Sequence, residues 1–401
     1  MRGSHAAPYT LGRGIGGSSA VNAMLGTWGM PSDYDHWARD LGCVGWAWSD
    51  VAPVFAALPV PLVRVSRAEW GAVDHALVEA AILLGHPLSA GPAPGTLGVG
   101  AAWLTRAAGR RVSAADAYLA PARSRANLTV RANTSVSRLI LDGRTAVGVE
   151  LADGEFVEAS DVVLSAGAIH SPALLLASGV DRSGIGVGLK DHVSASLVLQ
   201  LRDAADTSRL AAATLLRWSS ATGDGDLQLL ALNHVGEPGY GALVAGVMSV
   251  HSGGFVVLRD GRIAVHFEML SDERDLVRLR EAARHTMALA ATDPFRHIAD
   301  KVFIDDVGTT VDALADEADL DAWLQRRVGD YVHAGCSCRM GPVDDAGAVV
   351  DTSGRVHGHR NLRVCDASIF PDLPAANLHL PTVMVAERIS QAMIEVSPSS
   401  R

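Results

Sequence analysis

The chain has 401 residues, 48% of them hydrophobic, enough to bury a sizeable core in one large domain or two closely joined ones. Its 34 basic and 44 acidic residues give a formal charge of −10, which argues against nucleic acid or an anionic membrane as partner. No run of about 18 apolar residues and no basic-then-apolar leader is present, so a cytoplasmic protein without a membrane span is expected. Cys43, Cys336, Cys338 and Cys365 lack metal or CxxC spacing, and the 15 histidines show no HxH or HExxH pattern, so free thiols and no metal site are expected.

Residues 1–11 are short and polar. Residues 12–24 read as a glycine-rich loop running into a helix. The glycines allow close backbone approach to a ligand, and Ser18 and Ser19 are cap-like donors, although an ordinary glycine-rich turn carries the same letters. Gly12-x-Gly14-x-x-Gly17 matches a dinucleotide-binding expression. Pro8-Tyr9-Thr10-Leu11 is too short for the strand which that fingerprint requires, so a nicotinamide dehydrogenase is rejected. Residues 33–60 read as a helix and an aromatic-rich turn, with Trp37, Trp46 and Trp48 in the core and Asp33 and Asp35 as caps. Residues 61–108 are rich in Ala, Gly, Pro and Leu, with one periodic helix near 73–84. Arg110 to Leu119 opens another helix.

Residues 127–130, 135–141, 146–151 and 156–157 alternate as strands around the turn Asp142-Gly143. Residues 161–165 read as a buried parallel strand ending in Ala166-Gly167-Ala168. Ser171-Pro172 then opens a helix that closes at Gly179. A strand end with small residues beside a helix start is where α/β folds place ligands. Further on, 193–201, 227–235, 243–250 and 262–269 are strand-like, and 272–291 has the pattern of a long amphipathic helix. Strands with helices on one side imply an antiparallel sheet forming a wall. His192 reads as structural.

Near the C-terminus, His333 heads a small-residue turn through Gly341. Leu362-Arg363-Val364-Cys365 is an apolar strand ending in Asp366-Ala367-Ser368. Asn377 and His379 precede a helix with Pro381 at its first position, running to about 396. The N–H groups of that helix end favour negative charge. A base, an amide and an anion-friendly helix end converging on one point could remove a proton and stabilise the charge that develops.

These blocks resemble the glucose–methanol–choline (GMC) family of flavin alcohol oxidoreductases. The C-terminal family pattern is matched by His333…Cys338-Arg339-Met340-Gly341, Val349-Val350-Asp351, Arg355-Val356-His357-Gly358 and Leu362 to Ser368. Gly12 to Asn22, followed by Asp33-Tyr34-Asp35-His36-Trp37 and Gly45-Trp46, resembles the first family signature. Ala166 to Pro172 with Ser178-Gly179 resembles the second. Ile185 to His192 resembles a further segment in which Gly188 replaces an asparagine. Three ordered blocks spread over nearly the whole chain are far more specific than any one short motif.

The resemblance implies an α/β (α+β) fold. An FAD-binding Rossmann-like domain, N-terminally incomplete, would be built from 1–60, 109–192 and 331–401. An antiparallel-sheet substrate-binding domain would be built from 61–108 and 193–330. It implies oxidation of a small-molecule alcohol, with neutral His333 as general base, Asn377 bonding the substrate oxygen and hydride passing to flavin N5. His379 is the rival for second catalytic group. The implied cofactor contacts are Gly17, Ser18, Asn22, Ala23, Met24, Val136, Ala166, Asp366, Ala367 and His379. Val21 falls where some members carry a histidine bonded to the flavin, so non-covalent FAD is expected, reoxidised by oxygen, a quinone or a carrier. Residues 1–11 cannot supply the family's opening strand–glycine loop–helix unit. The chain therefore reads as N-terminally truncated, and the alternative is a non-catalytic remnant or half of a split flavoprotein needing a partner chain.

Overall fold

The computed structural model describes residues 8–396, apart from Ala90 and Pro92, so residues 1–7 of the opening stretch lie outside the described residues. The helix expected before Met24 is absent. Gly17–Ala20 form a single 3-10 turn and an irregular segment follows. Gly16, Gly17 and Met24 take left-handed backbone, with φ of 93°, 53° and 62°. The Asn22 carboxamide oxygen accepts the Met24 N–H at 3.0 Å, a local bond that replaces a helical one.

Two helices follow, α1 (Pro31–Arg39) and α2 (Trp48–Ala57). Asp33 accepts the Met30 N–H at 2.8 Å, Asp50 the Ala47 N–H at 3.0 Å and Asp35 the Trp48 N–H at 2.9 Å. All three aspartates thus satisfy donors at helix starts that lack intrahelical acceptors. Trp37 and Trp46 are buried against Tyr34 and Phe370, and Trp48 packs at their edge. Helix α3 (Ala72–Leu83) leads to strand β1 (Gly98–Ala101). The helix expected from Arg110 is reduced to a π-type turn at Ala115–Leu119 and one α-turn at Ala120–Ala122.

Val136–Asp142, Thr145–Leu151 and Phe156–Glu158 form the antiparallel meander. The exposed residues 127–130 do not join it as a strand, having no neighbour to cover them. Strand β2 (Val162–Leu164) feeds helix α4 (Gly167–Ala177), which begins four residues before Ser171 and contains Pro172 in its interior. Pro172 has no N–H to give the Ala168 carbonyl, four residues back. That carbonyl accepts the Ser337 hydroxyl at 2.5 Å instead, which offsets the cost of the missing helical bond.

The largest sheet contains β3 (Val193–Leu201), β4 (Thr214–Trp218), β5 (Leu227–Leu232), β6 (Tyr240–Val247) and β7 (Ala299–Phe303). Its order is β7-β3-β6-β5-β4-β1 and every pairing is antiparallel. Helix α5 (Glu273–Ala290) crosses one face, with Asp272 capping it by accepting the Arg274 N–H at 3.0 Å. Alternation along the strands sorts the side chains. Ala195, Leu197, Leu216, Leu227, Leu229, Leu243, Ala245 and Val247 belong to the main core on the helix side. Leu215, Leu230 and Val244 face the other way, joining Met24, Leu25 and Tyr331. A hairpin of Gly254–Arg259 with Arg262–His266 lies apart from this sheet.

Strand β8 (Leu362–Val364) lies parallel to β2, Leu362 opposite Val162. The last helix, α6 (His379–Val396), starts two residues before Pro381. The Thr382 N–H already reaches the Leu378 carbonyl at 2.9 Å, so Pro381 sits within the first turn, where no backbone acceptor awaits an N–H. No helix of the described residues is long and apolar enough to cross a membrane.

Candidate active site

The C-terminal ends of β2 and β8 deliver Ala166-Gly167 and Asp366-Ala367 side by side. The Asp366 carboxylate accepts the Ser171 hydroxyl at 2.5 Å and the Gly167 and Ser368 N–H groups, each at 2.8 Å. Ala166 donates its N–H to the Ser171 oxygen at 3.0 Å, and the Ala367 carbonyl accepts the Cys336 N–H at 3.1 Å. The Asp366 side chain is thus spent on fixing the two strand ends, and any ligand contact at this residue falls to its backbone.

The Cys336 bond leads back to His333. Gly335 and Lys190 exchange backbone hydrogen bonds of 3.0 and 3.1 Å, which lays 333–335 against the segment entering β3. Asp191 accepts the His333 N–H at 3.0 Å and the Tyr331 N–H at 3.3 Å. Its other oxygen accepts the Tyr9 hydroxyl at 2.7 Å, and the Tyr9 oxygen accepts the Ala334 N–H at 2.9 Å. Burial pushes Asp191 up to about 7, partly countered by these donors. The neighbouring His192 turns its ring onto that of His333, and the two Nδ1 atoms are 2.8 Å apart with the ring planes perpendicular. Burial lowers His333 to about 3 and His192 well below its ordinary value, the His333 charge adding to the second effect. Both rings are therefore neutral near pH 7, and exactly one proton is needed in the contact between them.

Asn377 is buried just before α6. Its carboxamide oxygen accepts the Thr27 hydroxyl at 3.3 Å, and its backbone N–H donates to the same hydroxyl at 2.7 Å. The preceding Ala375 gives its N–H to Asp33 at 2.8 Å and its carbonyl to the buried Arg217 guanidinium. The Pro374 carbonyl lies beside His192. The segments carrying His333 and Asn377 therefore meet at His192, although the two side chains share no hydrogen bond. His379, half-buried in the first turn of α6, keeps an Nε2 without a partner. Burial, helped by the Arg111 charge, lowers it to about 4.

The glycine-rich loop is tied to Arg111, whose charge also reaches His379. Ser18 Oγ accepts the Gly12 N–H at 3.2 Å, and the Asn22 oxygen also accepts Arg111 at 2.5 Å. Ala23 lies between Asn22 and Met24, whose carbonyl accepts the Thr105 N–H at 2.8 Å. A Cβ on Gly14, Gly17 or Gly167, all in left-handed backbone, would meet nothing within 4 Å, so open space lies over all three. Val136, at the start of the meander, pairs with Leu151 and stays exposed, so it is not gathered with the others.

Comparison with known proteins gives the family of the chain. GMC oxidoreductase family models match residues 4–194 and 250–386. The chain belongs to the GMC oxidoreductase family. Among curated relatives it is 34% identical to the 5-(hydroxymethyl)furfural oxidase of Methylovorus sp. (strain MP688), over 96% of this chain and 83% of that protein. It is 31% identical to the oxygen-dependent choline dehydrogenase of Ectopseudomonas mendocina (strain ymp), over 97% of this chain and 81% of that one. Among solved structures, pyridoxine 4-oxidase from Mesorbium loti superposes with a TM-score of 0.88 at 27% identity, over 97% of this chain and 86% of that one. Formate oxidase from Aspergillus oryzae RIB40 shares the fold, with a TM-score of 0.87 at 18% identity. The protein is a mixed α/β GMC oxidoreductase, an FAD-dependent enzyme acting on CH–OH donors.

GMC oxidoreductases bind FAD, and the residues present fit its flavin end. Open space over Gly14, Gly17 and Gly167 admits a flat ring close to backbone. At the start of α6, His379 keeps a buried Nε2 without a partner, a polar group the chain's own contacts leave unsatisfied. Among the described residues the parallel sheet holds only β2 and β8, so no further parallel strand carries a loop for the pyrophosphate.

Sequence reasoning read His192 as structural, met Asp191 only as part of the segment Ile185 to His192, and did not single out Thr27, Tyr331 or Arg217. One signal was available for Arg217, a lone cation inside the apolar run Thr214–Trp218. The Asp191 clamp generates a stability prediction. Asp191→Ala leaves two backbone N–H groups and the Tyr9 hydroxyl without their acceptor, at a cost on the order of 3 kcal/mol. Asp191→Asn, which keeps one acceptor oxygen, should cost less. Denaturant unfolding of both variants checks this, and equal stability of Asp191→Ala and the parent would contradict it.

Proposed function

We propose that the chain oxidises a small-molecule alcohol to an aldehyde or ketone, with His333 as general base and Asn377 as partner of the substrate oxygen. The observation that supports this most is the 2.8 Å contact between His192 Nδ1 and His333 Nδ1. When His333 donates across it, its Nε2 keeps a free lone pair. An alcohol hydroxyl is far too weak an acid to ionise near neutral pH, so a positioned base must take its proton as the C–H bond breaks. Burial, the one cause acting on the His333 ring, keeps it neutral. The Asn377 oxygen is occupied by Thr27, which leaves the amide N–H groups to donate to an alkoxide-like oxygen. The N–H groups of the first turn of α6 favour negative charge next to Asn377. When bound, FAD supplies the two-electron acceptor, taking the hydride at N5.

The named relatives act on 5-(hydroxymethyl)furfural, choline and pyridoxine, and a small alcohol of this kind is the substrate class here. The electrons pass on to oxygen, a quinone or a carrier. The side chain of Val21 is exposed beside the glycine-rich loop and offers no nucleophile, so the flavin is held without a covalent bond.

Stopped-flow flavin reduction by an alcohol tests the base. His333→Ala should slow it by about 100- to 10,000-fold, and Asn377→Ala by less. Near-normal reduction in the His333 variant would overturn the role. The base form of His333 persists above about 3, so lowering the pH from 7 to 5 should not protonate it or slow reduction through it. A loss of rate with a midpoint near 6.5 would show an ordinary, solvated histidine instead. Acid precipitation should release all the yellow colour into the supernatant, whereas flavin remaining in the pellet would refute non-covalent binding.

A further inference from the structure

The wall facing this site holds two polar groups that the reaction does not use. Gln228 on β5 is 0% exposed, and neither its amide oxygen nor its amide nitrogen has a hydrogen-bond partner. It stands directly opposite Arg217 on β4 and Gly246 on β6, so all three lie on the face turned away from α5. At Gly246 a Cβ would fall 2.3 Å from the Tyr331 ring, which therefore lies against the strand beside Gln228. The Tyr331 hydroxyl lies close enough to the Gln228 amide for that amide to lower the phenol's pKa against the larger upward push of burial, and it donates to the Val244 carbonyl at 3.2 Å. The Tyr331 ring in turn lies 5.5 Å from that of His333.

Arg217 is 6% exposed and close enough to His192 for its charge to be felt there. Its guanidinium donates to the Gly225 and Ala375 carbonyls and makes no direct ion pair among the described residues, although the charges of Asp33 and Asp226 act on it through space against the larger effect of burial. Asp226 is committed to Arg278 and Ser220, and Asp33 to the Met30 and Ala375 N–H groups. The rest of this face is apolar, with Leu215, Leu230 and Val244. Buried amides without partners and buried cations without a direct ion pair are both costly in native structures. Here they adjoin on one wall, next to the proposed base.

We infer that Gln228, backed by the Arg217 charge, is a specificity-determining residue. Its amide donates to an acceptor oxygen, carbonyl or carboxylate, at the end of the substrate remote from the reacting CH–OH. The same wall disfavours cationic alcohols, since a quaternary ammonium group cannot accept a hydrogen bond and is repelled by Arg217. The inference rests on the alcohol-oxidation reading above and names the chemistry of the substrate's far end.

The test uses benzyl alcohol, 4-(hydroxymethyl)benzoate and choline as paired probes of the flavin-loaded protein. Wild type should show a higher kcat/KM for 4-(hydroxymethyl)benzoate than for benzyl alcohol, and choline should be the poorest of the three. In Gln228→Met the ratio of the first two should fall about tenfold, the scale of one lost hydrogen bond. Gln228→Asn, with a shorter amide, should fall between. A general loss of structure would lower both rates and leave the ratio unmoved. The melting temperature gives a readout without turnover: 4-(hydroxymethyl)benzoate should raise it more than benzyl alcohol does, and Gln228→Met should erase that difference. An unchanged ratio in both variants, or a preference for choline, would overturn the inference while leaving the alcohol-oxidation reading standing. Bound flavin that none of a broad set of alcohols reduces would overturn that reading and this inference with it.

Discussion

The site depends on the dipeptide Asp191-His192 at the entry to β3. One residue fixes the backbone of the loop that carries His333, and the next fixes its ring. The two tasks fall to adjacent residues because successive side chains of an extended chain point in opposite directions. Asp191 turns to the Tyr331 and His333 N–H groups and to Tyr9, and His192 turns to the imidazole. The consequences run outward along the chain. The loop after His333 reaches Ala367 through Cys336, Asp366 closes the two parallel strand ends, and Gly167 opens α4 above them. A base on a surface loop would be mobile. Here it is bracketed by the large antiparallel sheet on one side and the parallel pair on the other.

Desolvation is the dominant electrostatic effect throughout this region. It keeps His192, His333 and His379 neutral and pushes Asp191 and Asp33 upward, ahead of any charge partner. This suits proton abstraction from a neutral alcohol, because water competing for the base is excluded and a fixed donor such as Asn377 acts in a medium of low dielectric. It also makes Arg217 conspicuous, since burial lowers its pKa ahead of the opposing charges of Asp33 and Asp226, neither of which forms a direct ion pair with it.

Much of the fold could be read from local patterns. The apolar stretch at 161–165, the long amphipathic helix at 272–291 and the small-residue strand ends all reflect periodicity and turn chemistry, which neighbours in sequence decide. The errors have a common cause in tertiary context. β7 carries the exposed Asp300 and Lys301 because it is a sheet edge, and so looks polar. Residues 127–130 alternate like a strand but find no partner. Pro172 seemed to open a helix because nothing local announces that Ser337, 165 positions further on, satisfies the carbonyl it frees. Within the site, His333 and Asn377 stand out through ordered motifs. The contact of His333 with His192 spans 141 residues and depends on two ring orientations, which no local pattern encodes. Gln228 left a fainter trace, as the one polar residue in a strand buried on both faces, Leu227–Leu232. A buried run reads as structural unless its one polar side chain is asked what it bonds.

The base role requires that His333 carry its proton on Nδ1 and donate it across the contact with His192, leaving Nε2 free, and that His192 keep its own proton on Nε2, an atom that is buried without a hydrogen-bond partner. Long-range proton–nitrogen NMR of the chain labelled with nitrogen-15 in histidine tests it directly, with His192→Phe and His333→Ala used for assignment. At pH 7 the account predicts a neutral His333 protonated at Nδ1 and a neutral His192 protonated at Nε2, both unchanged at pH 5. A His333 that carries its proton on Nε2 at pH 7, or becomes imidazolium between pH 7 and 6, would contradict it.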